Sequence, residues 1–289
     1  MQLARIRVSG TVVPAARIDD GDLIPIDGIA GVAGDDLVEI LGTVGAEHLR
    51  ALVAEHVESG AAAARAVPVA DAEFEVPVKN PQKLIGTSLN YAAHAAEGNQ
   101  AVPTAPVVFF LPPSSLLPHN GTVVIPRSTT RIDYEVELAI VLGRRARNVR
   151  AEDWRSVVAG FTIVNDVTDR EVQLVAIERN EPWDLSKAYD TFSPCGPYLV
   201  PASEVANPND LSLSLRIGDR LLQDSRTDKM LFGVGALIEL LSSTMTLEPG
   251  DIIATGTPSG IGPVVDGEVM EASIEGLGTL VNTARREEE

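Results

Sequence analysis

Residues 133–143 read Asp133-Tyr134-Glu135-Val136-Glu137-Leu138-Ala139-Ile140-Val141-Leu142-Gly143. Side chains alternate between the two faces of a strand, so this run predicts a strand with Glu135 and Glu137 on one face and the apolar side chains opposite. Two neighbouring carboxylates on a half-buried strand repel each other unless a positive group lies between them. A divalent cation would satisfy both acids, which indicates a metal site. The alternative is an edge strand whose acids face solvent.

A third candidate ligand, Asp166, follows an apolar run that ends near Asn165. The next residues, Thr168-Asp169-Arg170-Glu171, form a capping box, in which Thr168 caps a helix that we expect to end near Arg179. Asp166 therefore lies in a connection between a strand and a helix, where side chains often point into a site.

Converging carboxylates favour a hard, oxygen-seeking ion such as Mg²⁺, Mn²⁺ or Ca²⁺. A zinc site is not expected, because Cys195 is the only cysteine and no histidine lies near the acidic strand in sequence. Asp133 shares the face of Glu135 and Glu137, so the pattern alone leaves open whether Asp133 or Glu137 is the second ligand.

The fold class follows from the spacing of the apolar runs. After residue 77, short β-branched runs alternate with Pro and Gly, which predicts a mostly β (α+β) architecture with inserted helices. Residues before 77 differ, because two short strands precede a turn-rich segment and a helical stretch from Ala46 to Arg65. We therefore expect a small N-terminal α+β segment over residues 1–76 and a larger domain over residues 77–289.

Composition bounds the partners and the compartment. The 289 residues are 45% hydrophobic and carry a formal net charge of −18, which argues against nucleic acid or an anionic membrane as a partner. The N-terminus shows no signal peptide, and no apolar stretch is long enough to cross a bilayer. A single cysteine cannot form an intrachain disulfide, which fits the reducing cytoplasm. The expectation is a cytoplasmic protein.

Five stretches resemble the fumarylacetoacetate hydrolase family in the family's order and spacing. They are Ile85-Gly86-Thr87-Ser88-Leu89-Asn90-Tyr91-Ala92-Ala93-His94, Pro112-Pro113-Ser114-Ser115-Leu116, Asp133-Tyr134-Glu135-Val136-Glu137-Leu138, Asn165-Asp166-Val167-Thr168-Asp169-Arg170 and Asp251-Ile252-Ile253-Ala254-Thr255-Gly256-Thr257-Pro258. The resemblance covers about residues 83–282, points to the acylpyruvate (fumarylpyruvate) hydrolase branch, and makes the domain over residues 77–289 the catalytic one.

The resemblance implies a mixed β-roll or β-sandwich fold, a homodimer and one divalent ion. Its ligands would be Glu135, Glu137 and Asp166, which favours Glu137 over Asp133. The ion would be Mg²⁺ or Mn²⁺, with Ca²⁺ acceptable in crystals. It would chelate a 2-oxo acid and stabilise the enolate that forms when a neighbouring carbon–carbon bond breaks.

The resemblance also implies roles for groups around the metal. Lys187, within Asp184-Leu185-Ser186-Lys187-Ala188-Tyr189-Asp190, would stabilise oxyanion charge. His94 would activate water while Glu97, three residues later, orients the imidazole. An exposed helix pair is the alternative for His94 and Glu97, as a surface lysine is for Lys187.

Substrate binding is assigned by the same resemblance. The residues concerned are Tyr91, Arg170, Gln173 and Thr257. His119 and Trp183 are candidates for the pocket rim, and Leu111 stands where many relatives place a lysine.

These predictions converge on a metal-dependent enzyme that cleaves a carbon–carbon bond in a 2-oxo acid, with hydrolysis of an acylpyruvate such as fumarylpyruvate preferred. Two alternatives use the same site: decarboxylation of oxaloacetate, and isomerisation or decarboxylation of 2-hydroxyhepta-2,4-diene-1,7-dioate in aromatic catabolism. A third hypothesis is a non-catalytic metal-binding protein of the same fold.

Overall fold

The computed structural model describes residues 1–19 and 21–288, and within them the chain is mostly β with inserted helices, which confirms the predicted fold class. The strands are β1 (Gln2–Val8), β2 (Thr11–Arg17), β3 (Ile24–Pro25), β4 (Glu73–Glu75), β5 (Leu84–Ser88), β6 (Val107–Leu111), β7 (Leu116–Leu117), β8 (Thr122–Ile125), β9 (Ile132–Tyr134), β10 (Val136–Leu142), β11 (Val158–Asn165), β12 (Thr168–Asp169), β13 (Ser193–Pro201), β14 (Ser212–Ile217), β15 (Arg220–Arg226), β16 (Ile252–Ala254), β17 (Gly262–Val264), β18 (Val269–Ile274) and β19 (Gly278–Arg286). The helices are α1 (Leu37–Val44), α2 (Ala46–Glu58), α3 (Ala92–Glu97), α4 (Arg170–Arg179) and α5 (Val234–Thr244). Single 3-10 turns span Val69–Asp71, Pro113–Ser115, Ala151–Ser156, Asp184–Lys187, Ala202–Glu204 and Thr227–Lys229.

The strands form three sheets. The largest has the order β3-β2-β1-β13-β11-β10-β16-β5-β6, with β4 beside β1 and β7 beside β13. A five-stranded sheet has the order β15-β14-β18-β19-β8, and a three-stranded sheet the order β12-β9-β17. Most pairs are antiparallel, while β16 with β5, β13 with β7 and β19 with β8 are parallel. Mixed sheets of this kind place non-consecutive strands side by side.

Strand β10 lies at the centre of the large sheet, between β11 and β16. All seven of its residues are buried, and its apolar side chains enter two separate core clusters, one on each face. A strand buried on both faces reads as a continuous apolar run, as residues 138–142 do. The edge-strand interpretation of the acidic run is therefore wrong.

The alternation pattern predicted one strand for the acidic run, and that prediction is wrong. The run divides at Glu135 into β9 and β10, which belong to different sheets. The backbone N–H of Glu135 donates to the side chain of Asn165 at 2.8 Å, and that of Val136 donates to the side chain of Gln223 at 3.0 Å. Because these side chains replace ladder partners, the backbone can leave one sheet and enter another without losing hydrogen bonds.

Two helix boundaries differ from the predicted ones. The N-cap of α4 is Asp169 rather than Thr168, and the Asp169 carboxylate accepts from the backbone N–H of Val172 at 3.1 Å. Thr168 begins β12 instead, while the predicted end of α4 at Arg179 is confirmed. The N-terminal helix α2 stops at Glu58, short of Arg65, because the chain turns at Gly60, which has a φ of +76°.

The strands of the N-terminal segment belong to the large sheet. Strand β1 pairs with β13, with Leu3 opposite Leu199. The division of the chain near residue 76 stays a prediction. Among the described residues, every helix falls short of the length and apolar character that a membrane span requires.

Candidate metal centre and active site

Three buried carboxylates meet where β10 and β11 pair. Val136 lies opposite Asn165 in that pair, and the backbone N–H of Asp166 donates to the carbonyl of Glu135 at 2.9 Å. Oxygen atoms of Glu135, Glu137 and Asp166 lie within 4.8 Å of one another. The antiparallel register therefore brings together acids that are about thirty residues apart in the chain.

Lys187 supplies positive charge between these acids. Its Nζ lies 2.6 Å from Asp166 Oδ2 and 3.0 Å from Glu135 Oε2, and the side chain is 3% exposed. Burial acts to lower the pKa of Lys187, but the charges of Asp166 and Glu135 outweigh it and raise the pKa. Lys187 is therefore a buried cation whose position depends on the acids.

The three acids have different electrostatic environments. Burial acts to raise the pKa of Glu135, but the charges of Lys187 and Arg170 lower it to about 2. Burial followed by the charge of Asp166 raises the pKa of Glu137 well above its usual range. Burial also raises the pKa of Asp166 to about 6, although Lys187 opposes the shift. The three buried carboxylates outnumber the two cations that contact them, Lys187 and Arg170, and Arg170 is shared with Asp133, so the site attracts further positive charge.

The donor set fits a hard divalent cation. Asp166 Oδ1 is buried and has no hydrogen-bond partner in the described part of the protein, as expected of an oxygen reserved for a ligand. All three candidate ligands offer oxygen, which suits magnesium-type ions rather than zinc. Asp133 does not join them, because its carboxylate is bound by Arg131 at 2.8 Å and by Arg170 at 2.8 Å.

The first turn of α4 contacts the acids of the candidate metal centre. Arg170 donates to Asp133, to Glu135 and to the side-chain oxygen of Gln173, which is buried. The hydroxyl of Thr168 donates to Glu135 Oε1 at 3.2 Å. Arg170 and Thr168 thus both donate to the same oxygen, Glu135 Oε1, and fix the carboxylate. Sequence reasoning missed the part played by Thr168, although its position two residues after Asp166 was a usable signal.

The loop after β16 supports the other acid. The backbone N–H of Gly256 donates to Glu137 Oε2 at 2.7 Å. A Cβ at this position would meet Asn90 Cβ at 2.7 Å, and φ is +92°, so glycine is required for this approach. The Thr257 hydroxyl is already engaged, since it donates to the Val136 carbonyl at 2.9 Å and accepts from Gln223 at 2.8 Å.

His94 and Glu97 lie on α3 at the same cavity. His94 Nδ1 is 3.5 Å from Glu97 Oε2 but is buried and makes no hydrogen bond in the described structure. The Glu97 carboxylate instead accepts from the backbone N–H of Gly260 at 3.1 and 3.2 Å. The imidazole and the three acids line the same cavity.

These groups surround one cavity of about 740 Å³. Of the site residues predicted from sequence, its lining includes His94, Glu97, Glu135, Glu137, Asp166, Arg170, Gln173, Lys187 and Thr257. Tyr91 is not among the described lining residues, and its buried hydroxyl has no partner there. Burial followed by the charge of Glu137 raises the pKa of Tyr91.

Of the two residues predicted to lie at the pocket rim, one lines the cavity and the other does not. Trp183 lines the cavity, whereas His119 lies elsewhere: its Nδ1 accepts from the backbone N–H of Val281 at 3.0 Å. Leu111 is buried in the core, paired across the strands with Leu84, and it is also absent from the described lining.

Two solved structures resemble the whole chain. The maleylpyruvate hydrolase of Sphingobium sp. SYK-6, in complex with manganese(II) ion and pyruvate, is 31% identical with a TM-score of 0.78, and the match covers 100% of both chains. The 2-hydroxyhepta-2,4-diene-1,7-dioate isomerase of Mycobacterium marinum is 30% identical with a TM-score of 0.78, again over 100% of both chains.

Curated relatives cover most of the chain as well. An uncharacterized protein of Pyrococcus abyssi is 45% identical over 214 residues, which are 74% of this chain and 93% of the relative. The 2,4-didehydro-3-deoxy-L-rhamnonate hydrolase of Sphingomonas sp. is 40% identical over 223 residues, covering 74% of this chain and 77% of the relative. The mitochondrial oxaloacetate tautomerase Fahd2a of Rattus norvegicus is 37% identical over 223 residues, covering 75% and 70%.

One protein-family model matches most of the chain. Residues 83–285 match the model for the fumarylacetoacetate (FAA) hydrolase C-terminal region, close to the limits that the sequence motifs gave. The predicted resemblance and the predicted fold type are thereby confirmed. The chain belongs to the fumarylacetoacetate hydrolase family.

Proposed function

We propose that the protein is a divalent-metal-dependent hydrolase that cleaves a carbon–carbon bond in an acylpyruvate. The observation that carries this proposal is the buried triad of Glu135, Glu137 and Asp166 with Lys187 among its oxygens, at one cavity large enough for a small organic acid. The likeness to a maleylpyruvate hydrolase in complex with manganese(II) and pyruvate supports it.

Glu135, Glu137 and Asp166 would hold Mg²⁺ or Mn²⁺. When bound, such an ion supplies Lewis-acid stabilisation of negative charge on the oxygens of a 2-oxo acid. Lys187 would stabilise the negative charge that develops on the same oxygens. Its contacts with Asp166 and Glu135 already fix the position of its ammonium group. A preorganised ammonium costs little reorganisation during the reaction.

The bond changes are those of a simple hydrolysis. The oxygen of a water molecule attacks the acyl carbonyl carbon, and the bond from that carbon to the adjacent CH₂ breaks. The electron pair passes to the pyruvate enolate, which takes one proton to become pyruvate, while the acyl group leaves as a carboxylate and the second proton is released. His94 would accept the proton of the attacking water at Nε2, because its Nδ1 is the nitrogen that faces Glu97 Oε2, at 3.5 Å.

Glu97 and the substrate-binding groups complete the proposal. Glu97, at 3.5 Å from His94, would hold the imidazole in its productive orientation. Arg170 and Gln173 would face the oxoacid end of the substrate. Thr257 would offer its backbone N–H to the carboxylate, since its hydroxyl is already engaged. Tyr91, buried behind this region, would act on the substrate only indirectly.

The test compares two substrate types with the Mn²⁺-loaded protein. We expect acetylpyruvate to give equimolar acetate and pyruvate, measured by chromatography. Release of carbon dioxide from oxaloacetate, with no cleavage of acylpyruvates, would contradict hydrolysis.

A second function has its own observation. The relative named oxaloacetate tautomerase is 37% identical, and enol–keto conversion of oxaloacetate requires the same oxoacid site but no attacking water. Following the ultraviolet absorbance of enol-oxaloacetate would detect it. Rapid loss of that absorbance without acylpyruvate cleavage would favour the tautomerase. A homodimer and a cytoplasmic location stay predictions.

A further inference from the structure

The cavity has two chemically different halves. Charged groups surround the acid triad, while large apolar side chains, together with Gln100, Asn180 and Glu181, line the outer part. The outer residues on which the inference rests are Val107, Phe109, Leu174, Ile177 and Trp183. Val107, Leu174 and Ile177 are 41%, 57% and 43% exposed, so this wall presents apolar surface to solvent beside the site. Exposed apolar side chains that line a cavity are typical of ligand-binding sites.

Helix α4 joins the two halves. Arg170 and Gln173, in its first turn, contact the Glu135 side, while Leu174 and Ile177 lie about one turn further along the same helix. Leu174 follows Arg170 by four residues, as Ile177 follows Gln173. Four residues advance about 6 Å along a helix, so each apolar side chain lies roughly 6 Å beyond its polar counterpart. That separation matches a substrate whose oxoacid head lies at the triad and whose acyl group extends along α4.

Every arginine and lysine in the described cavity lining is already paired with an acid. Among the described lining residues, Arg131 donates two hydrogen bonds to Asp133, at 2.8 and 2.9 Å. Arg170 is shared by Asp133 and Glu135, and Lys187 is paired as above. Glu181 also lines this region and adds negative charge. A second carboxylate on the substrate would therefore find no arginine or lysine in the described lining that lacks an acid partner.

We propose that the preferred substrate is an acylpyruvate with an uncharged, apolar acyl group, either an alkyl chain or an aromatic ring. This rests on the proposed function, and it narrows that function to a substrate class in which fumarylpyruvate, with its distal carboxylate, is disfavoured. Phe109 and Trp183, whose ring centroids lie 5.0 Å apart, form the face against which the acyl group packs. Burial of apolar surface supplies the selectivity.

The experiment measures kcat/KM for acetyl-, butanoyl- and hexanoylpyruvate and for fumarylpyruvate with the Mn²⁺-loaded protein. Each added methylene that reaches the wall raises kcat/KM by roughly threefold to fourfold. Hexanoylpyruvate should exceed fumarylpyruvate by at least about tenfold. Equal values across the alkyl series, or a preference for fumarylpyruvate, would overturn the inference.

A matched pair of variants locates the effect. Leu174→Asn should flatten the dependence on chain length, because it places an amide on the wall at an exposed position where folding tolerates it. Leu185→Asn changes the same side chain at a position that is 65% exposed and outside the cavity lining, and it should keep the dependence. If Leu174→Asn leaves the slope intact, the wall is not the binding surface.

The two proposals fail differently. Absence of turnover with every acylpyruvate would remove the proposed function itself. Turnover that favours fumarylpyruvate would leave the hydrolase function standing and refute only the apolar tail.

Discussion

Lys187 Nζ lies 2.6 Å from Asp166 Oδ2, which makes this ammonium the nearest positive group to the acid whose other oxygen is unpaired. The same Nζ is 3.0 Å from Glu135. A single buried cation therefore holds two of three candidate metal ligands in place. It reduces their mutual repulsion, and it stands where negative charge on a bound oxoacid would develop.

Replacement of this ammonium should affect both turnover and stability. Lys187→Met should lower kcat by about 10²–10³-fold, the loss typical of a missing charge-stabilising group. It should also destabilise the metal-free protein by about 3–5 kcal/mol, because buried acids lose their partner. Steady-state kinetics and urea unfolding measure the two effects. Lys229→Met, at an exposed lysine, is the control, and full activity of Lys187→Met would refute the role.

The contribution of Asp166 to metal-free stability should fall as pH rises. Asp166 has a folded pKa of about 6, above its ordinary value, so between about pH 4 and 6 the folded protein holds a proton that the unfolded chain has released. Stability contributed by that proton is lost as pH rises through this window. The comparison is the Tm of wild type minus that of Asp166→Asn in EDTA from pH 4 to 7. A difference that grows more favourable to wild type with pH would contradict the prediction.

Added Mn²⁺ should reverse this trend, because metal ions compete with protons for carboxylates. The increase in Tm on adding Mn²⁺ should therefore be larger at pH 7 than at pH 5. An increase that is independent of pH would indicate binding elsewhere.

Glu137→Gln tests whether Glu137 is a ligand. The amide keeps the shape and can still accept from the N–H of Gly256, but it removes the charge. Loss of outer-shell partners weakens metal binding by 10–100-fold, so loss of a direct ligand should cost at least about 100-fold. Calorimetric titration with Mn²⁺ measures this, with the exposed Glu271→Gln as control. The metal-free variant should also melt higher at pH 8, because burial and Asp166 disfavour ionised Glu137.

His119 should weaken the fold in acid, independently of the site. Burial lowers its pKa to about 4, so between about pH 6.5 and 4 the unfolded chain binds a proton that the folded protein refuses. Stability present above pH 6.5 is lost as pH falls through this window, by roughly 1–2 kcal/mol for this partly exposed ring. His119→Asn should lose less stability than wild type between pH 6.5 and 4 in urea unfolding. An equal loss would show that His119 does not titrate as described.

Local pattern predicted the acids but not their geometry. Alternation identified Glu135 and Glu137, yet it could not separate Glu137 from Asp133, because the break at Glu135 depends on Asn165 and Gln223, which are remote in sequence. The family resemblance selected Glu137, and the cluster formed by the three carboxylates agrees with that choice.

The remaining differences also come from tertiary contacts. Both Thr168 and Asp169 are acceptable N-caps. The Thr168 hydroxyl points to Glu135, and it is Asp169 that accepts from the backbone N–H of Val172. Sequence spacing predicted that Glu97 orients His94. In the structure the Glu97 carboxylate also accepts a hydrogen bond from the backbone N–H of Gly260, which is remote in sequence. The fold class needed no such information, since strand density alone predicted it.

The most direct test is anomalous diffraction from crystals soaked in Mn²⁺. The account predicts one strong peak per chain, within about 2.5 Å of an oxygen from each of Glu135, Glu137 and Asp166. A peak bound by other residues, or none at a Mn²⁺ concentration that supports turnover, would contradict it.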